Sequence, residues 1–247
     1  MSIFATGKIS KTYQGMAVIE DVSVTLNQGE IVCLLGESGI GKTTLFHIMA
    51  GLDMPDAGAV VLDGKEITGI PGQVSYMLQK DLLMPFKTVV DNVAMPLLIR
   101  GEKRNVARKI AGAHFADFGL QGYETYYPNQ LSGGMRQRAA LLRTYLHQRD
   151  VILLDEPFSA LDSITKMELH LWFLEQFSKF NWSAFFITHD IDEAIFLSDR
   201  IYIMAGHPGR ITNEFVIAQD RPRSDAFYTS ELFLKIKKEI IVNLKRA

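Results

Sequence analysis

The sequence predicts an α/β fold with a mostly parallel sheet, and three features carry that reading. Short apolar β-runs alternate with helical segments along much of the chain. The run at 151–154 (Val-Ile-Leu-Leu) has no polar position, as a strand buried on both faces requires. A glycine-rich turn at 36–41 joins an apolar β-run to a helix.

The elements follow in order. Residues 2–35 alternate apolar and polar positions and contain β-branched runs, so they read as β-structure. A helix is expected over 42–51, stopped by a glycine. Strands are expected at 59–62 and 74–78, separated by turn residues. The pattern turns helical from about 88 to 146, with a break at 119–131. That block sits between two sheet-forming halves and reads as an inserted lobe. Beyond 151–154, a helix is expected over 163–179, strands at 183–188 and 199–204, and a helix at 191–197 between them. Phe233, Ile236, Ile240 and Leu244 recur at helical spacing near the end. The whole is read as one domain over 1–247. Its core spans about 1–81 and 147–215, the helical lobe about 82–146, and the C-terminal helix about 231–246.

Composition narrows the function. The chain has 247 residues, 47% hydrophobic, with a formal net charge of -2. This near-neutral balance argues against a nucleic-acid partner, which usually needs a basic footprint. The single cysteine, Cys33, lies in an apolar run and fits a reducing compartment. The N-terminus lacks the basic segment and long apolar run of a signal peptide. No stretch approaches the ~20 apolar residues that span a bilayer. The chain is therefore expected to be soluble by itself, with any membrane role exerted through a partner.

The strongest chemical signal is Gly36-Glu37-Ser38-Gly39-Ile40-Gly41-Lys42-Thr43, which matches G-x4-G-K-[ST] after a β-run and before a helix. Glycines let backbone N–H groups turn inward around phosphate oxygens. The helix N-terminus adds partial positive charge. Lys42 is placed to reach the β- and γ-phosphates, and the Thr43 hydroxyl to ligate Mg²⁺. A second signal is the apolar strand that ends in Asp155-Glu156. Sheet ends are where ligands bind in open α/β folds. Asp155 is placed to hold Mg²⁺ through water, and Glu156 to orient or deprotonate the attacking water. A third is Leu131-Ser132-Gly133-Gly134-Met135-Arg136-Gln137, where Ser132 also suits a helix N-cap.

Together these motifs resemble the ABC (ATP-binding cassette) ATPase family, from about Ile3 to Arg210. The resemblance implies a P-loop (RecA-like) core, an antiparallel β subdomain and an inserted α-helical lobe that carries the signature sequence. It implies ATP and Mg²⁺ as ligands. Gly36, Ser38, Gly39, Gly41, Lys42, Thr43 and Thr44 would form the phosphate loop. Ser132 and Gly134 would face the γ-phosphate bound by a second copy, in a head-to-tail dimer that sandwiches two ATP molecules. Gln79 resembles the glutamine that touches Mg²⁺ or the water and senses the partner. Asp162, in Ser159-Ala160-Leu161-Asp162, resembles the loop that links the two sites. His189 resembles the switch histidine at the γ-phosphate. Tyr13 stands where the family has an aromatic ring that stacks on adenine. The catalytic set implied is Glu156, His189, Gln79 and Lys42; the metal set is Thr43, Gln79 and Asp155. Small departures occur at Glu37, Ile40 and Arg143-Thr144, and none puts the chemistry in doubt.

Several segments resemble the nitrate/sulfonate/taurine importer branch, whose relatives also import thiamine precursors. They are the stretch at 82–93, Thr188-His189-Asp190-Ile191-Asp192-Glu193-Ala194, and Gly206-His207-Pro208-Gly209-Arg210-Ile211, followed by Arg221-Pro222-Arg223. That resemblance implies an ATPase on the cytoplasmic face of the inner membrane, bound peripherally. Its partners would be separate integral membrane permease subunits and an extracytoplasmic solute-binding protein. Taurine, sulfonates, nitrate and pyrimidine precursors all remain open as solutes, because specificity lives in the other subunits. Two other readings stand beside it. One is a soluble ABC ATPase, and the other is a membrane-partnered cassette that signals mechanically. The apolar knot Leu82-Leu83-Met84-Pro85-Phe86 reads both as a docking wall for a permease helix and as an anchor of the lobe.

Overall fold

The computed structural model describes residues 2–159, 163–221 and 223–244. Two sheets organise them. The first is antiparallel, in the order β2-β1-β4-β5. It comprises β1 (Ser2–Tyr13), β2 (Met16–Asn27), β4 (Ala57–Leu62) and the short β5 (Lys65–Glu66). Alternating burial along β1 and β2 turns one face to the core and one outward, as their alternating sequence requires.

The second sheet has six strands in the order β10-β9-β3-β8-β7-β6. Its members are β3 (Ile31–Leu35), β6 (Ser75–Met77), β7 (Val151–Asp155), β8 (Ser183–Thr188), β9 (Arg200–Ala205) and β10 (Arg210–Val216). Every pairing is parallel except β9 with β10. All residues of β3, β7 and β8 are buried, which is why their sequences read as continuous apolar runs. The α/β reading from the sequence is therefore correct. Strand β10 was not foreseen; its polar alternation, Arg-Ile-Thr-Asn-Glu-Phe-Val, suits an antiparallel edge more than a buried strand.

The helices take their ends from local chemistry. Helix α1 (Lys42–Met49) follows Gly41 at φ +105°, and Gly51 at φ +72° terminates it. Between β6 and β7 lie α2 (Val89–Val93), α3 (Met95–Ile99), α4 (Arg104–Ala113) and α5 (Gly133–Tyr145). Thr88 caps α2 by accepting from the Asp91 amide. Ser132 does the same for α5, accepting from the Met135 amide at 3.3 Å. Helices α6 (Ser163–Phe180) and α7 (Ile191–Leu197) flank β8, and α8 (Glu231–Leu244) packs on α7. Lys245 and Arg246 of the expected tail lie outside the described residues. No helix among the described residues is long and apolar enough to cross a membrane.

Candidate nucleotide site

The parallel sheet sets the site. Strands β3, β8, β7 and β6 are neighbours and run in one direction. Their C-terminal ends deliver, respectively, the glycine loop, His189, Asp155-Glu156 and Gln79 to one edge of the sheet. Residues up to 153 positions apart in sequence meet there because the crossovers are helical.

The loop after β3 needs its glycines for space. A Cβ on Gly36 would lie 2.5 Å from the Met204 carbonyl oxygen. One on Gly41 would lie 2.5 Å from Ile19 Cγ2, and its positive φ disfavours other residues as well. The turn between β9 and β10 buttresses the loop from behind. Gly209 bridges to Ile19, its amide donates to the Val18 carbonyl at 2.9 Å, and it packs against the Ile40 carbonyl.

Lys42 is buried and donates from Nζ to the Gly36 and Glu37 carbonyls at 2.8 and 2.7 Å. Burial lowers its pKa, while Glu156 and Asp155 oppose that shift. Thr43 Oγ1 donates to Asp155 Oδ2 at 3.1 Å, and the Tyr76 hydroxyl reaches the same oxygen at 3.3 Å. Burial raises the Asp155 pKa against those two hydrogen bonds, and the neighbouring Glu156 adds to the rise. Glu156 is the hub. Its Oε2 accepts from Gln79 Nε2 at 3.0 Å, and its Oε1 lies 3.3 Å from His189 Nδ1. Glu156 also holds a left-handed backbone (φ +45°), a strained conformation of the kind that clusters at functional sites.

Ser38, Gly39, Gly41, Lys42, Thr43, Thr44, Gln79 and Glu156 line one open cleft of about 310 Å³, joined by Val18. Asp155 and His189 attach to it through the bonds above. Tyr13, Ser132 and Gly134 are not among the lining residues of this cleft. Asp162 lies outside the described residues. The Tyr13 hydroxyl instead bonds Asp53, and Lys11 Nζ sits 5.0 Å from its ring centroid. Burial and Asp53 together push its pKa up to about 12.

Sequence reading missed several members. Tyr76 carries no signal, since an aromatic in a strand ordinarily marks packing. Arg143 ties the segment after Gln79 to α5, donating to the carbonyls of Leu82 (2.9 Å) and Asp81, and Arg136 lies 3.3 Å from the Asp81 carboxylate. Leu82 has φ +44°, costly for a bulky residue and sustained by that clamp.

A phosphate-cradling loop, a buried lysine and a carboxylate pair at the sheet edge define a P-loop ATPase. The profile of the ABC transporter family matches residues 19–159, and the chain belongs to that family. It is 45% identical to the formylaminopyrimidine import ATP-binding protein ThiZ of Halalkalibacterium halodurans, over 77% of this chain and 74% of the relative. It is 37% identical to the aliphatic sulfonates import ATP-binding protein SsuB of Bacillus cereus, over 96% of this chain and 92% of the relative. Among solved structures, the ATP-binding cassette MJ0796, dimeric in a post-hydrolysis state with ADP and Pi, is similar with a TM-score of 0.76 and 27% identity. That match covers 88% of this chain and 100% of the other. The chain is thus an ATP-binding ABC ATPase.

Proposed function

We propose that this chain is the ATP-hydrolysing subunit of an importer for a small solute, with Glu156 as the base that activates water. The observation that carries the hydrolytic part is the joint hold of Gln79 and His189 on the Glu156 carboxylate at the cleft. Lys42 binds the β- and γ-phosphates, and the glycine-loop amides cradle them. Gln79 orients the water and His189 positions the γ-phosphate. Catalysis is mostly positioning and charge stabilisation. Tyr13 stacks on adenine once its ring is met by the base, and Asp162 links the two sites of a dimer.

The donor set fits Mg²⁺. The Thr43 hydroxyl, the Asp155 carboxylate and the Gln79 carbonyl are hard oxygen ligands, and Thr43 and Asp155 already face each other at 3.1 Å. These residues would hold the ion, which neutralises charge on the β- and γ-phosphates.

Ser132 and Gly134 support the two-copy arrangement. They stand at the start of α5 and do not line their own chain's cleft, so a second copy's γ-phosphate would meet this helix N-terminus. Two ATP molecules close the pair, and hydrolysis releases it. The single-domain division, with the lobe at about 82–146, gives closure a body that moves with the permease.

The permease contact is an apolar groove of about 430 Å³. Leu52, Leu78, Leu82, Met95, Pro96 and Ile99 line it, and most of them are exposed. Leu83 is the knot residue buried under the lobe, while Leu82 and Phe86 are 54% and 74% exposed. An exposed apolar groove tied to the Gln79 segment by Arg143 suits a short amphipathic helix of a membrane subunit. The ATPase then works at the cytoplasmic face of the membrane, supplied by a solute-binding protein outside. The importers among its relatives favour sulfonate-like solutes or thiamine precursors.

Leu52→Ser with Ile99→Ser, two exposed residues of the groove lining, tests this reading. Both side chains are exposed, so folding and basal ATPase should stay within about twofold. Each removes an interface anchor of about 1.5–3 kcal/mol, so co-sedimentation with membranes should fall by tenfold or more. Unchanged membrane association with the double variant would refute the groove as the permease contact.

A further inference from the structure

A second set of buried polar side chains lies beside His189, and the hydrolytic reading does not use it. Helix α7 begins two residues after His189. Its N-cap Asp190 accepts from the amides of Asp192 and Glu193 at 2.9 and 3.2 Å. The other Asp190 oxygen accepts from Lys166 Nζ on α6 at 2.7 Å. Lys166 also lies 3.1 Å from Glu193 Oε1. Glu193 is only 2% exposed, and the same oxygen lies 3.2 Å from His170 Nε2. His170 Nδ1 in turn lies 3.2 Å from the Tyr228 hydroxyl.

His170 therefore joins three parts of the chain. Its ring also meets Phe158 edge-on at 4.8 Å, two residues beyond Glu156. Tyr228 belongs to a 3-10 turn (Asp225–Thr229) just before α8. Its ring stacks on Phe196 of α7 at 4.3 Å and 12°. The same C-terminal stretch grips α7 twice more. Arg223, 2% exposed, donates at 2.8 Å to each of the Ile195, Phe196 and Ser198 carbonyls. Lys237 Nζ lies 2.6 Å from Asp192 Oδ1.

A buried carboxylate held by a lysine and an imidazole has little freedom, and loss of either partner leaves a costly unpaired group. Such a network transmits position through rigid contacts. In phosphoryl transfer, where positioning supplies most of the rate, a small displacement of a catalytic side chain is felt strongly.

We propose that Tyr228, His170, Glu193 and Lys166 form a positioning network that fixes His189 against Glu156, so that the C-terminal segment sets the rate of hydrolysis. This rests on the reading of Glu156 and His189 as the hydrolytic pair. None of the four network residues touches the nucleotide cleft, so each acts through α7 or through the backbone beyond Glu156.

The test uses the full chain carrying Tyr228→Phe, Glu193→Gln, His189→Ala, or Tyr228→Phe with His189→Ala. Steady-state kcat and KM, single-turnover rates and affinity for a fluorescent ATP analogue are measured for each. Tyr228→Phe should lower kcat about three- to tenfold and Glu193→Gln by about tenfold or more, the range of one to two lost hydrogen bonds. KM and analogue affinity should stay within about twofold. In the His189→Ala background, Tyr228→Phe should have no further effect on the single-turnover rate. An unchanged kcat in Tyr228→Phe, or a loss that persists undiminished without His189, would overturn the proposal. Wild-type turnover by His189→Ala would instead overturn the hydrolytic reading itself, and the proposal with it. Should Glu193→Gln fail to fold, the Tyr228 cycle, which removes a single oxygen atom, decides alone.

Discussion

Replacing Glu156 with glutamine should lower ATP turnover by about 10²-fold or more while ATP still binds. The substitution keeps the size of the side chain and a hydrogen-bonding oxygen, but removes the basic carboxylate that Gln79 and His189 hold at the cleft. Binding should persist because the phosphate cradle belongs to the loop after β3 and to Lys42, not to Glu156. A pair of chains closed over two ATP molecules would then lack the step that opens it. The variant should therefore elute as a two-copy species when ATP is present and as one copy when it is absent. Size-exclusion chromatography with light scattering, beside a phosphate-release assay, reads both quantities. An active Glu156→Gln protein would remove this residue from the role of base.

Lys42→Ala should act earlier, on nucleotide affinity. The ammonium group is buried, donates to two loop carbonyls, and is the only side-chain cation among the described residues lining the cleft. Its hydrogen bonds to phosphate oxygens are charge-assisted, worth about 1.5–3 kcal/mol in net terms. The affinity for a fluorescent ATP analogue should fall about ten- to a hundredfold. Melting temperature without nucleotide separates this from loop collapse, since the variant leaves two carbonyls that can turn to solvent. The contrast between the two substitutions matters. One removes turnover and spares binding; the other weakens binding itself.

Much of the framework was legible because each element declares itself locally. The buried strands β3, β7 and β8 are apolar throughout, and a run such as Val-Ile-Leu-Leu followed by Asp-Glu leaves few alternatives. The glycine loop was legible because phosphate binding, the left-handed turn at Gly41 and the start of α1 all demand the same residues. Helix α7 lies at 191–197 as the sequence places it, and Asp190 caps it.

What stayed hidden depends on tertiary contact. Strand β10 is an exposed edge, so its sequence lacks the apolar run that marks the others. Arg223 reads as part of a basic patch with Arg221, yet it is buried and caps the end of α7, and burial lowers its pKa to about 10. Nothing in the local sequence distinguishes a solvated arginine from one that satisfies three helix-end carbonyls. Histidine 170 was equally silent, because its partners Glu193 and Tyr228 come from distant segments. The knot at 82–86 divided in a way sequence could not resolve: Leu83 turns in, and Leu82 and Phe86 turn out. The left-handed backbone at Leu82 and the Arg143 clamp produce that division.

The central claim is that this ATPase drives a membrane-embedded permease. The most direct measurement is purification of the tagged chain from native membranes in mild detergent, with identification of what accompanies it. A multi-helix integral membrane protein at near-equal amount, lost when Leu52 and Ile99 become serine, is the expected result. A soluble or nucleic-acid partner with no integral membrane protein would leave the ATPase standing and contradict its role in transport.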